Sequence, residues 1–168
     1  MKDLQQFCNV KAQIDLAFDR GKARPITEVV MPYHLPEDDE RLQLFRDFDQ
    51  RRWWEVPIEV VYLHKDAIPL LSNKGFKLCI PAFLSASLDL KRDGAETLQG
   101  FCVMSLVPIV RNGVPLKSKI EKFDQLSSAQ KRAITGYLML FSGLHDLLGE
   151  ESRKALAMYW ETDQNTTS

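Results

Sequence analysis

The sequence predicts a mainly α-helical protein, a single-domain bundle of about six to eight helices that allows a minor two-stranded element. Apolar residues recur at helical spacing over residues 76–88 and again over residues 134–148. Between them, residues 95–107 are apolar on almost every side, which is typical of a buried helix. An Asn-Gly turn signal at 112–113 is the basis of the two-stranded element.

The N-terminal third predicts two helices. The first runs from about Lys2 to Arg20 and ends at Gly21, a residue suited to a left-handed cap. The second begins at Pro36, because proline is favoured at the first helical position and the acidic residues 37–39 complement the helix dipole. The expected core-facing residues are Leu4, Phe7, Cys8, Ile14, Ala17 and Phe18 of the first helix and Leu42, Phe45 and Phe48 of the second.

For two short segments, the sequence is compatible with both a helix and a strand. Residues 24–31 are rich in β-branched side chains but are also compatible with one helical turn. Residues 57–65 favour a short helix with Ile58, Val61 and Tyr62 inward, although a strand is nearly as compatible.

The helical pattern of residues 76–88 continues through Pro81. Proline removes one backbone donor and its ring clashes with the carbonyl of Lys77, at a cost of about 3 kcal/mol inside a continuous helix. The segment is therefore either one kinked helix or two helices that meet at Ile80 and Pro81. In both cases it is expected at the centre of the core, against the helices over 95–107 and 128–148.

A capping box predicts the start of the last long helix. Ser127 and Gln130 have the spacing of that motif, and the pattern then continues to Leu148, with Gly149 as its end and a final short helix over 150–160. We expect residues 1–161 to form the single globular domain and the polar residues 162–168 to be a frayed tail.

Composition excludes several classes of function. The formal net charge is -1 and is spread along the chain, which argues against nucleic-acid binding because phosphate recognition needs concentrated positive charge. No apolar run approaches the roughly 20 residues of a membrane span. Cys8, Cys79 and Cys102 are odd in number and far apart, as expected for reduced core thiols, so a cytoplasmic location is predicted.

No catalytic or metal motif is present in the sequence. His34, His64 and His145 lack the short spacings that bring metal ligands together, and Ser142 lacks the strand-to-helix elbow of a hydrolase nucleophile. Cys79 and Cys102 are better explained by core packing. We therefore predict no metal site and no cofactor.

The best candidate for a binding site is Arg51-Arg52-Trp53-Trp54, with His64 as a further candidate. Arginine and tryptophan are the residues most enriched at binding hot spots, because tryptophan buries a large area and arginine offers a rigid set of donors. Two adjacent tryptophans cannot both face the core of a helix, so one of them should be partly exposed. The alternative explanation, that both residues only fill the core, remains open.

The order of these motifs resembles an uncharacterised, mainly bacterial domain-of-unknown-function family. The resemblance rests on Trp53-Trp54-Glu55-Val56, on Leu71-Ser72 followed by Pro81-Ala82-Phe83-Leu84, and on the helix that starts at Leu126-Ser127. It implies no reaction. By analogy, small families of this kind are often partner-binding, regulatory or toxin-neutralising proteins.

Three hypotheses for function follow. The first is a non-enzymatic protein-binding module of the bacterial cytoplasm, with another protein as its partner. The second is an enzyme whose site is assembled from distant residues such as His64, His145, an acid of residues 37–40 and a cysteine. The third is a structural subunit of an oligomer, whose oligomeric state the sequence leaves undefined.

Overall fold

Eight α-helices and one short β-hairpin form the part of the chain that the computed structural model describes, namely residues 4–19, 23–27, 29 and 39–161. The helices are α1 (Leu4–Ala17), α2 (Asp39–Phe48), α3 (Ile58–Leu63), α4 (Asn73–Ser87), α5 (Ala95–Leu106), α6 (Lys117–Asp124), α7 (Ser128–Ser142) and α8 (Leu147–Ala155). The strands are β1 (Val110–Arg111) and β2 (Val114–Pro115), paired antiparallel. A 3-10 turn covers Ile68–Leu70 and a π-helical turn covers Leu156–Trp160. The predicted fold class, a helical bundle with a minor two-stranded element, is confirmed.

Helix α4 forms the centre of the core. Its N-cap is Ser72, whose Oγ accepts a hydrogen bond of 2.8 Å from the backbone N–H of Gly75. The helix continues through Pro81 without interruption, and both Phe83 and Leu84 are fully buried beyond it. The segment is therefore one helix, and the alternative of two helices meeting at Pro81 is wrong.

The neighbours of α4 are α1, α3, α5 and α6. Two helices were expected beside α4. Helix α5 is found there, whereas α7 packs mainly against α1 and α8. Contact between α4 and α7 includes a buried hydrogen bond of 2.8 Å between Ser87 Oγ and Tyr137 Oη.

The predicted inward faces of α1 and α2 need correction. In α1 the buried residues are Phe7, Val10 and Ile14, whereas Leu4 and Cys8 are exposed. Cys8 follows Phe7 by about 100° around the helix, which turns it away from the core, so it is not the core thiol that was predicted.

In α2 the core residues are Leu44 and Phe48, one turn apart. The ring of Phe48 stacks on that of Phe83 with 5.6 Å between the centroids, and this contact fixes the rotation of α2. Leu42 and Phe45, which were expected inside, are about two-fifths exposed, at 44% and 38%.

Of the two ambiguous segments, residues 57–65 contain the short helix α3, as favoured. Residues 23–27 and 29 form neither a strand nor a helical turn. They are extended, and Ile26 exchanges hydrogen bonds with the loop after α2: its N–H donates to Arg51 O at 2.7 Å, and its carbonyl accepts from Gln50 N–H at 2.9 Å.

In the C-terminal part of the chain, the helix boundaries differ from the predicted ones. The capping box of Ser127 and Gln130 is present, but α7 ends at Ser142 instead of Leu148. A new helix starts after Asp146, whose carboxylate accepts from Gly149 N–H at 2.9 Å. Gly149 thus lies in the first turn of α8, where a Cβ would stand 2.1 Å from the carbonyl oxygen of Leu144.

The sequence interpretation omitted helix α6, which is short and mostly polar. The hairpin was predicted correctly: Asn112 and Gly113 have φ values of +53° and +78°, the left-handed conformations of a type I′ turn. The predicted helix end at Gly21, helix start at Pro36, and tail over 162–168 lie outside the described residues.

The space around two helical glycines predicts opposite effects of the same substitution. A Cβ on Gly75 would stand 2.1 Å from the carbonyl oxygen of Val29, whereas a Cβ on Gly100 would meet no atom within 4 Å. We expect Gly75→Ala to lower the free energy of unfolding by about 1–3 kcal/mol, because the backbone must shift. Gly100→Ala should raise the free energy of unfolding by up to about 1 kcal/mol through helix propensity. Urea unfolding of both variants measures this, and equal effects would contradict it.

A buried lysine predicts a pH-dependent stability. Lys122 is 7% exposed, and its Nζ donates to Leu71 O at 2.7 Å. Burial, with Lys119 nearby, lowers the pKa of Lys122 from 10.5 to about 8. The folded protein therefore binds this proton less tightly than the unfolded chain does, and the charge on Lys122 destabilises the folded state. This destabilisation is complete below pH 8 and disappears as the pH rises to 10.5.

The test compares the wild type with Lys122→Gln, which retains an N–H donor for Leu71. The free energy of unfolding of the variant, minus that of the wild type, should decrease between pH 7 and pH 10 by on the order of 1–3 kcal/mol. Burial also raises the pKa of the Cys102 thiol to about 12, but both proteins contain it, so its effect cancels. A pH-independent difference would refute the assignment.

Candidate functional site

The segment Arg51–Trp54 forms a corner between α2 and α3, and we refer to it as the Arg-Trp corner. Trp53 is 4% exposed and belongs to the core, while Trp54 is only partly buried. Their rings are perpendicular with 5.7 Å between the centroids. The two tryptophans therefore differ in exposure, and Trp54 is the one with ring surface available.

Arg52 is held in place at this corner. Its guanidinium lies 5.7 Å from the centroid of the Trp54 ring, a cation–π arrangement. The carboxylate of Glu55 accepts from the backbone N–H of Arg52 at 2.8 Å and lies 3.4 Å from its Nη1. Arg51 is exposed, and its backbone is fixed by the bond from Ile26. The corner thus presents two cations and one aromatic ring on an ordered backbone.

Trp53 contributes to the walls of two cavities. The larger one, of about 630 Å³, lies on the side of α4 that contains Pro81, and we call it the basic cavity. It is lined by three cations, Arg24, Lys74 and Lys77, and by no carboxylate among the described residues. Lys77 Nζ donates to Gln125 O at 2.7 Å, so this cation has a fixed position.

The second cavity, of about 310 Å³, is lined by both tryptophans and contains Lys11, Ser85 and Asp89. The ammonium group of Lys11 donates a hydrogen bond to Ser85 Oγ. Ser85 lies inside α4, and its hydroxyl is the acceptor of a contact between α1 and α4. This pair therefore adds a further cation beside the Arg-Trp corner.

His64 does not belong to the corner. It is 4% exposed at the end of α3, and its Nε2 lies 2.7 Å from Asp47 Oδ2 on α2. The ring also meets Phe48 edge-on at 5.8 Å. His64 lines neither of the two cavities that Trp53 borders, and its contacts join α2 to α3.

The other groups considered for catalysis are dispersed. His145 is exposed in the turn between α7 and α8, and His34 lies outside the described residues. Burial raises the pKa of the thiols of both Cys79 and Cys102, which keeps them protonated and poorly nucleophilic. Over residues 4–19, 23–27, 29 and 39–161, no three His, Cys, Asp or Glu side chains converge as metal ligands would.

The basic cavity was not predicted from the sequence, although part of its signal was present. Lys74 and Lys77 lie three positions apart on the polar side of α4, the side opposite its apolar stripe. Arg24 and Lys11 come close to α4 only through the tertiary fold, so sequence spacing gave no indication of them.

The described residues form a mainly α-helical protein in which the Arg-Trp corner and the two cavities beside it are the candidate site. No helix of the described residues is long and apolar enough to cross a bilayer. The chain belongs to the family of unknown function DUF6714, whose sequence profile matches residues 10–164. Neither a curated protein nor a solved structure matches the chain.

Substitution of the two tryptophans should have very different effects on the free energy of unfolding. We expect Trp53→Ala to lower the free energy of unfolding by about 3–5 kcal/mol, because it empties a buried volume next to two existing cavities. Trp54→Ala should cost about 1 kcal/mol, since its ring is partly solvated and its main polar contact is with Arg52. Urea unfolding distinguishes the two, and equal losses would show that Trp54 also belongs to the core.

Proposed function

We propose that the protein is a non-enzymatic protein-binding module whose Arg-Trp corner and basic cavity together bind an acidic segment of a partner protein. The observation that carries the proposal is the position of Trp53. Trp53 lines both the basic cavity and the cavity beside Trp54, so the cations of the first and the exposed ring of the second border the same residue.

The chemistry of this surface supports an acidic partner. Arg24, Lys74 and Lys77 line a volume in the range of ordinary ligand sites, and Arg51 and Arg52 directly precede Trp53, which lines the same volume. Carboxylates of a partner would be attracted to the cations, while an apolar side chain would cover the exposed part of Trp54. Arginine and tryptophan at the centre of an interface commonly contribute most of the binding free energy.

The proposed location rests on the cysteines. The buried thiols Cys79 and Cys102 are free, which fits a reducing compartment such as the bacterial cytoplasm. Binding of this kind would let the protein regulate or neutralise its partner by covering an acidic surface. The absence of nucleic-acid binding remains a prediction, and the experiment below includes it.

The experiment measures binding of a labelled synthetic peptide rich in Glu and Leu by fluorescence anisotropy. Trp54→Ala, and the double substitution Arg24→Glu with Lys77→Glu, should each weaken binding at least about tenfold. The matched control is Arg111→Glu with Lys154→Glu, which makes the same change of charge at exposed positions that line neither cavity. Urea unfolding verifies that each variant is folded.

Two results would contradict the proposal. Equal weakening by the control pair would show that the peptide responds only to net charge. The second is a single-stranded oligonucleotide that binds more tightly than the peptide and loses its affinity in the Trp54 variant and in the Arg24 and Lys77 double variant. That result would assign the surface to a nucleic acid and not to an acidic protein segment.

A further inference from the structure

A second surface of opposite character lies between α5 and α8. Its lining includes the apolar residues Val103, Met104 and Leu147 and the acidic residues Glu96, Asp146 and Glu151. The volume is about 550 Å³, and the described lining contains no cation. We call it the acidic groove. It shares no lining residue with the basic cavity.

The apolar lining of the acidic groove includes large, exposed side chains. Met104 is 54% exposed and Leu147 is 70% exposed, although each lies on a helix whose other side is in the core. Adjacent exposed apolar residues with a polar rim are typical of a protein-binding surface. Methionine in particular adapts to different partners because its side chain is unbranched and polarisable.

The groove is already ordered without a partner. Arg153 Nη1 donates to the carbonyl oxygen of Leu144 at 2.8 Å, which fixes the turn between α7 and α8. Asp146 caps α8 through the N–H of Gly149, and Glu151 lies 3.5 Å from Lys154 Nζ. A partner would therefore meet a preformed surface and would spend little binding free energy on ordering it.

Gly100 gives an independent indication of a close approach. It lies in the middle of α5 and lines the groove, and a Cβ at this position would meet no atom within 4 Å. Glycine inside a helix costs about 1 kcal/mol relative to alanine. Packing within the chain explains Gly75 and Gly149, where a Cβ would collide with a carbonyl, but it does not explain Gly100. A partner backbone lying close to α5 would explain it.

We propose that the acidic groove binds a basic amphipathic helix of a partner protein. The apolar face of such a helix would cover Met104 and Leu147. Its lysine or arginine side chains would reach the carboxylate of Glu96 and would add to the contacts that Asp146 and Glu151 already make with Gly149 and Lys154. The missing side chain of Gly100 would let the two helices approach closely. This site is independent of the Arg-Trp corner, whose charge would repel the same partner.

The test uses a labelled synthetic helix with Leu at positions i, i+3, i+4 and i+7 and Lys elsewhere, measured by fluorescence anisotropy. Met104→Lys should weaken binding at least tenfold, because it places a cation among the apolar residues of the groove. Gly100→Ala should also weaken binding about tenfold while it stabilises the protein in urea. That combination is not expected of a variant with a merely structural role.

Phe101→Lys is the matched control, because Phe101 lies on α5 and is 37% exposed but is not among the groove residues. It should leave the affinity unchanged. A peptide with Glu in place of Lys should bind at least tenfold more weakly than the Lys peptide.

Several outcomes would overturn the proposal. These are no binding of the Lys peptide, equal binding of the Glu peptide, and an affinity that neither Met104→Lys nor Gly100→Ala changes. Sedimentation equilibrium adds one more: a dimer of the wild type that Met104→Lys dissociates would show that a second copy of the chain covers the groove.

Discussion

The burial of α4 is the constraint on which the rest of the structure depends. Every residue from Cys79 to Ser87 is buried, so this stretch needs neighbours on all sides. Helices α1, α3, α5 and α6 provide them, and the extended segment at Val29 closes the start of the helix. There the carbonyl of Val29 accepts from Ser72 N–H at 2.9 Å and lies so close to Gly75 that only glycine fits.

Pro81 links this constraint to the candidate binding site. Proline has no N–H for the carbonyl of Lys77, so one turn of α4 lacks a helical hydrogen bond. Lys74, Lys77, Leu78 and Pro81 follow one another at helical spacing, and all four line the basic cavity. The side of α4 with the missing hydrogen bond therefore borders the basic cavity. The residues around the proline both leave one carbonyl without its helical partner and form one wall of the site.

Residue spacing predicted the fold where one helix face is continuous, as in α4, α5 and the first part of α7. It failed where the pattern continued across a break: Leu144 and Leu148 keep helical spacing with α7, yet Asp146 caps a new helix between them. In α2 the stacking of Phe48 on Phe83 determined the rotation, and that contact joins residues far apart in the chain. For the same reason the composition of Arg51–Trp54 indicated a binding site, but the cavities beside it depend on residues from α1, α4 and the extended segment.

The average charge of the chain conceals a local separation of charge. A formal net charge of -1 describes the sum, whereas the basic cavity contains three cations and the acidic groove three carboxylates among the residues described. At physiological salt the screening length is about 8 Å, so a binding partner responds to the few charges near its contact surface and not to the sum. A nearly neutral chain can therefore present two surfaces with opposite preferences. This separation would allow one small helical domain to hold an acidic segment of one protein and a basic helix of another at the same time.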